Sequence, residues 1–186
     1  MLTAHRRESF GQPIRSIFDA VAEIAQATGV EVLYPVHPNP NVRGPATEIL
    51  GAIPLVHLVD PLGYLDLVTA LRSAQLILTD SGGIQEEAPT FGTPVLVLRE
   101  VTERGEGVAA GVAKLVGTDR ALIAAEAIRI LTDPAVRQAM SAVHNPYGDG
   151  RASERIADVL VSALTGRSRT LSDWTWPADA VAGASS

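Results

Sequence analysis

The 186-residue sequence contains no cysteine. That excludes disulfide frameworks, thiolate zinc sites and cysteine nucleophiles, and it suits a reducing compartment. An excess of positive charge is missing as well. With 15 Lys and Arg against 21 Asp and Glu, the net charge of -6 gives duplex nucleic acid and anionic membrane no general attraction. Any polyanion has to meet a local cationic pocket. No run reaches the roughly 18 apolar residues of a membrane span, and Met1 is followed by no basic-then-apolar signal pattern. A cytoplasmic protein working without nucleic acid or membrane is therefore expected. Neither a Walker-type Gly-Lys-Ser/Thr nor a G-x-G-x-x-G fingerprint occurs, which argues against P-loop ATPase and dinucleotide-binding activity.

What is present is a globular composition, 46% hydrophobic and 19% charged, in a length that suits one domain. Short apolar runs alternate with longer stretches of 3.6-residue period, which is how a parallel α/β sheet is written. Ile14, Ile17, Phe18, Val21 and Ile24 share one helix face, and Gly29 should end that helix. Strands are expected at 30–36, 53–59, 76–79, 95–98 and 114–116. Prolines 38, 40 and 45 predict a loop, followed by a short helix carrying Ile49 and Leu50. Helices are expected over 64–74, 84–91, 120–131 with Asp119 as N-cap, 134–140 and 152–164, with a polar, Gly-rich loop between Leu98 and Lys114. From 166 onward the composition turns to Ser, Thr, Asp, Ala and Gly with two isolated tryptophans, Trp174 and Trp176. This predicts a flexible tail over 166–186, the alternative being a docking segment that pins both aromatics. The start is unusual: only Met1 to Ala4 precede the polar His5-Arg6-Arg7-Glu8, so the chain reads as beginning inside a strand, as a fragment or a late-placed gene start would.

In open α/β sheets ligands bind beyond the carboxyl ends of the strands. The residues there are His5-Arg6-Arg7, His37, Asp60-Pro61-Leu62, Asp80-Ser81-Gly82-Gly83, and Arg99 with Glu103-Arg104. Cationic, polar and glycine residues in that order describe a pocket for an anionic, hydroxyl-rich ligand. Strand, Ser-Gly-Gly and helix in succession offer free amides to a phosphate or diphosphate, and Glu86 and Glu87 one turn on can accept paired hydrogen bonds from a ribose diol. Equally open is a plain cap by Ser81 with solvated glutamates. His5, Arg6 and Arg7 can neutralise a diphosphate or form a solvated face. His37 reads as bonding loop carbonyls, His57 as a core histidine, and 144–150 as an interhelical turn.

These segments together resemble the C-terminal half of the non-hydrolysing UDP-N-acetylglucosamine 2-epimerases. The resemblance runs from Leu2 to about Leu160 and rests on ungapped motifs in one order: Thr3 to Gly11, Pro35 to Arg43, Pro61 to Tyr64, Thr79 to Pro89, Thr102 to Arg104, and Asn145 to Ile156. It implies a Rossmann-like parallel sheet with helices on both faces over 1–165, one half of a GT-B-type two-domain architecture with its first strand truncated. It implies no cofactor and no metal. His5 matches the family's active-site histidine, and Arg6 and Arg7 its basic pair. Ser81, Gly82 and Gly83 match the diphosphate turn, Glu87 the ribose carboxylate, Arg104 a cation near the phosphates, and Pro61, Leu62 and Tyr64 a loop near the uracil. The family usually has Pro where Gly105 stands and Asp where Gly63 stands.

The implied reaction interconverts UDP-N-acetylglucosamine and UDP-N-acetylmannosamine through elimination and re-addition of UDP, a step in cell-surface polysaccharide biosynthesis. The resemblance further implies that the acid/base carboxylates come mainly from an N-terminal domain outside this chain, so that UDP binds here but turnover awaits that partner. Family members are commonly homodimeric. Two alternatives stand beside this: a free-standing nucleotide-sugar-binding module, and the donor-binding half of a GT-B glycosyltransferase, for which His-Arg-Arg-Glu is the wrong entry motif.

Overall fold

The computed structural model describes residues 1–175. Six strands alternate with helices: β1 (Leu2–Thr3), α1 (Gln12–Thr28), β2 (Val32–Pro35), α2 (Pro40–Leu50), β3 (Val56–Val59), α3 (Tyr64–Ser73), β4 (Ile77–Thr79), α4 (Gly82–Glu87), β5 (Val95–Val97), α5 (Gly105–Ala110), β6 (Ala113–Leu115), α6 (Arg120–Thr132), α7 (Pro134–Ser141) and α8 (Ala152–Thr165). The hydrogen-bonded order is β1-β4-β5-β6 in one sheet and β2-β3 in another, and every pairing is parallel. β2 lies against β1, which sets the strands in the order 3-2-1-4-5-6. In that doubly wound arrangement the chain reverses direction across the sheet between β1 and β4, and a crevice opens at their carboxyl ends.

Successive strand residues feed two cores. Leu78, Leu96 and Leu98 pack with α1 and α6 residues such as Phe18, Ile123 and Ile130, while Ile77, Val95 and Val97 pack with Leu71, Ile84 and Ala88. A two-residue period along strands buried on both faces is what places helices on both sides. α1 follows the expected pattern: Ile14, Ile17, Phe18, Val21 and Ile24 are buried, and Gly29 ends the helix in the left-handed conformation at φ 71°. α6 starts as expected, with Asp119 accepting from the Leu122 amide at 2.8 Å.

Four local expectations need correction. Pro40 and Pro45 lie in α2 rather than in a loop, because Pro40 takes the first helical turn, where a missing N–H costs nothing, and Asn39 caps the Asn41 amide at 2.9 Å. The helix expected over 84–91 starts two residues earlier at Gly82 and tightens to a 3-10 turn at Ala88–Phe91. The Gly-rich loop contains α5, whose apolar signal is too thin to see. His57 is exposed at the sheet edge, 3.8 Å from Glu31, because β3 has no outer neighbour to cover it. Of the segment expected to be a tail, Trp176 lies outside the described residues.

In a polypeptide that starts at Met1, the terminal ammonium carries a pH signature. The Met1 ammonium donates to the Leu76 carbonyl at 2.8 Å, and burial lowers its pKa from 8.0 to about 6. Above pH 8 the amine is neutral folded or unfolded. Between pH 8 and 6 the unfolded chain takes up a proton that the folded chain refuses, so stability is lost as the pH is lowered across that window, by about 2 to 3 kcal/mol from this group. Urea unfolding of a chain beginning at Met1, at pH 6 and pH 8, should show that slope. N-terminal acetylation, which removes the titration and keeps the N–H, should flatten it.

Candidate functional site

The crevice between β1 and β4 is built around a carboxylate. Asp80, directly after β4, is fully buried, and its Oδ2 accepts from the His5 and Arg6 amides at 2.7 and 2.8 Å. Its Oδ1 has no hydrogen-bond partner among the described residues and lies 3.5 Å from His5 Nδ1. The strand ends beneath are joined by the Thr3 and Thr79 hydroxyls at 2.6 Å, and Thr79 also accepts from the Ser81 amide at 3.0 Å. One buried anion thus turns the chain after β1 so that His5 and Arg6 face the crevice. Burial, with the Asp80 charge adding to it, pushes the Tyr34 phenol upward, and its hydroxyl donates to the Ala4 carbonyl at 2.7 Å beneath the same turn.

Above this turn two guanidiniums converge. Arg6 Nε donates to the Asp80 carbonyl at 3.2 Å, and a Cβ built on Gly82 would lie 3.8 Å from Arg6 Nη2 and 3.9 Å from Arg104 Nη2. Gly82 has an ordinary negative φ, so a side chain is not excluded by the backbone. What the glycine does is leave the space between two cations empty. Ser81 makes no side-chain cap, so the amides that open α4 stay available, and the plain-cap reading fails. Arg104 is held by Glu86, one turn into α4.

The Thr102-Glu103-Arg104 loop is joined to that turn by a short relay. Gln85 donates to the Ser81 carbonyl at 3.2 Å and accepts from the Thr102 hydroxyl at 2.6 Å, and Thr102 in turn accepts from the Arg104 amide at 3.1 Å. From the other side Tyr147 accepts from the Gly107 amide at 3.0 Å and donates to the Arg104 carbonyl at 3.1 Å. A Cβ on Gly107 would fall 2.6 Å from the Tyr147 hydroxyl, so a side chain there has to displace that hydroxyl from its bonds to the Gly107 amide and the Arg104 carbonyl. Arg99, buried, binds Glu8 at 2.7 Å and Glu103 at 2.8 Å, bracing the loop after β1 against the loop after β5. That guanidinium holds the Glu103 carboxyl down to about 2.

Glu87 points elsewhere. Its Oε2 is buried without a hydrogen-bond partner among the described residues, and Glu87 lines a cleft with Glu86, Thr90, Asn145, Tyr147 and Gly148. Such an oxygen is completed by an ordered water or by a ligand hydroxyl. Of the expected residues, His5, Arg6, Ser81, Gly82 and Arg104 come together. Gly83 follows in the same helix start with open space around it. Arg7 is exposed, and among the described residues its side chain joins no hydrogen bond or ion pair with this cluster. Pro61, Leu62 and Tyr64 stand at the carboxyl end of β3, with Tyr64 66% exposed and no hydrogen bond to the cluster among the described residues. His37 accepts from the Asn39 amide at 3.1 Å rather than donating to carbonyls, and its ring stacks on His5 at 5.5 Å. Sequence reasoning gave no separate role to Asp80, Arg99, Gln85 or Tyr147: Asp80 and Arg99 stood only among the polar strand-end residues, and Gln85 and Tyr147 carry no signal of their own.

A family model described as UDP-N-acetylglucosamine 2-epimerase matches residues 1–161. The chain belongs to the UDP-N-acetylglucosamine 2-epimerase family. It is 53% identical over 161 residues to the Escherichia coli K12 UDP-N-acetylglucosamine 2-epimerase, a match covering 86% of this chain and 43% of that protein. With the Bacillus subtilis UDP-N-acetylglucosamine 2-epimerase it shares 50% identity over 162 residues, covering 87% and 43%. Among solved structures, a Staphylococcus aureus MnaA–UDP co-structure superposes with a TM-score of 0.89 at 44% identity, covering 94% of this chain and 48% of that one. The Neisseria meningitidis UDP-GlcNAc 2-epimerase bound to UDP-GlcNAc gives 0.83 at 43% identity, covering 87% and 44%. The chain therefore spans less than half the length of these relatives, and it is a partial α/β unit of the epimerase architecture. Both departures from the family pattern fall at helix starts: Gly63 precedes α3 without a side-chain cap, and Gly105 is the first residue of α5. Asp and Pro are favoured at those two positions, and glycine keeps the geometry at some cost in stability.

Proposed function

We propose that this chain is the UDP-binding half of a non-hydrolysing UDP-N-acetylglucosamine 2-epimerase, interconverting UDP-GlcNAc and UDP-ManNAc once completed by the part of the relatives' length it does not span. One observation carries the reading: Arg6 and Arg104 flank the open face of Gly82 at the start of α4, and the helix ends on Glu87, whose Oε2 has no donor among the described residues. A diphosphate fits between the guanidiniums and the α4 amides, and a ribose diol supplies the donors Glu87 lacks. In the reaction the bond from C1 to the diphosphate breaks and later re-forms, so the cations have to hold UDP more tightly as charge develops on it. His5, anchored through its own amide and facing Asp80, sits where it can donate to the departing phosphate. Pro61, Leu62 and Tyr64 are assigned to the uracil side, and Arg7 to the outer rim.

Calorimetry tests this on the chain as it stands. UDP should bind, and Glu87→Ala should weaken it on the order of tenfold by removing a charged acceptor. No heat from millimolar UDP on folded protein would end the proposal, and so would a Glu87→Ala variant that binds as the parent does.

A further inference from the structure

The family match ends at residue 161, and the chain beyond it turns back on α8. The Thr170 amide donates to both Asp158 carboxylate oxygens at 3.0 Å, its hydroxyl donates to Oδ1 at 2.7 Å, and the Leu171 amide donates to Oδ2 at 3.1 Å. These donors hold the Asp158 carboxyl below its usual range. Arg155, on the same helix, donates through Nε to the Ser172 carbonyl at 3.0 Å, and its two terminal nitrogens grip Asp149 at 2.7 and 2.8 Å. Arg169 closes the turn on Asp173 at 2.6 Å. Arg155 therefore fastens this segment to the 145–150 loop, whose Tyr147 and Gly148 wall the cleft of Glu87. Trp174, partly buried, forms part of that same wall.

We propose that residues 167–174 form a strap that completes the nucleotide site, with the Trp174 indole packing against the ribose side of the ligand. The proposal rests on the assignment of Glu87 to the ribose. Glu87 offers acceptors for hydroxyls but no surface for the C–H face of a sugar, and an indole lining the same cleft supplies that surface at little cost in side-chain freedom. The strap lies beyond residue 161, where the family model ends, so the family match assigns it no role.

Two measurements decide it. In Trp176→Phe, where Trp174 is the sole fluorophore of its kind, UDP should change the indole emission with the same saturation seen by calorimetry. Trp174→Ala should bind UDP about tenfold more weakly, Trp174→Phe should recover most of the loss, and Asp158→Ala, which releases the strap, should resemble Trp174→Ala. If the unsubstituted chain binds UDP while Trp174→Ala binds it equally well, or while the Trp174 emission stays constant, the strap has no part in the site and the UDP assignment survives. If the unsubstituted chain does not bind UDP, both fall together.

Discussion

Asp80→Ala is expected to be the most damaging single substitution in the crevice. It strips the His5 and Arg6 amides of their shared acceptor and leaves a void where a fully buried side chain stood. Charge-assisted hydrogen bonds of this kind are worth about 1.5 to 3 kcal/mol each, so a loss of about 3 kcal/mol or more is anticipated. For a domain of this size that lowers the melting temperature by about 10 °C. Asp80→Asn keeps a carbonyl acceptor and should lose roughly half as much. Thermal unfolding of the two variants beside the parent checks both statements. An unchanged melting temperature in Asp80→Ala would mean that the turn after β1 is held by something other than this carboxylate. UDP affinity should fall together with stability, because Arg6 reaches the crevice only through that turn.

The second large effect belongs to the paired guanidiniums. Replacing both Arg6 and Arg104 by alanine should weaken UDP by a hundredfold or more, from two charge-assisted contacts of about 1.5 to 3 kcal/mol each. The two single variants should not be equal. Arg6→Ala removes a cation and its bond to the Asp80 carbonyl, whereas Arg104→Ala also exposes an anion, its present partner Glu86, to the incoming diphosphate. Arg104→Ala should therefore bind more weakly than Arg6→Ala, and the additional Glu86→Gln change should restore part of the loss. Lysine at 104 should rescue less than its charge suggests, since one ammonium cannot bridge Glu86 and a phosphate in the way a planar fork does. Calorimetry across the series reads these differences, and a double variant with parental affinity would remove the diphosphate from this place.

Much of this was legible in the residues. The alternation of Ile77 with Leu78 and of Val95 with Leu96 announces strands buried on both faces, and that already implies helices on both sides. The spacing of Ile14, Ile17, Phe18, Val21 and Ile24 before Gly29 defines α1 almost to the residue. The order of the polar strand ends places the crevice, because a doubly wound sheet gathers them at one edge. What stayed hidden depends on distance in sequence. Asp80 lies 75 residues from His5, so nothing local announces that it would orient that segment. Arg99 looks like one more cation after a strand until its two glutamates, Glu8 and Glu103, arrive from different loops. His57 misleads for the opposite reason: an apolar neighbourhood in sequence cannot reveal that β3 ends the sheet. Proline in α2 misleads because a first-turn proline and a loop proline look alike without the Asn39 cap.

Arg99 also bears on how quickly an anion can be accepted. Two guanidiniums facing one small opening repel each other, and left to themselves the loops bearing them would swing apart in water. By gripping Glu8 on one side and Glu103 on the other, Arg99 forbids that relaxation, so the unfavourable crowding of like charge is settled during folding. A dianion arriving from solution then has fewer loops to gather before it is held.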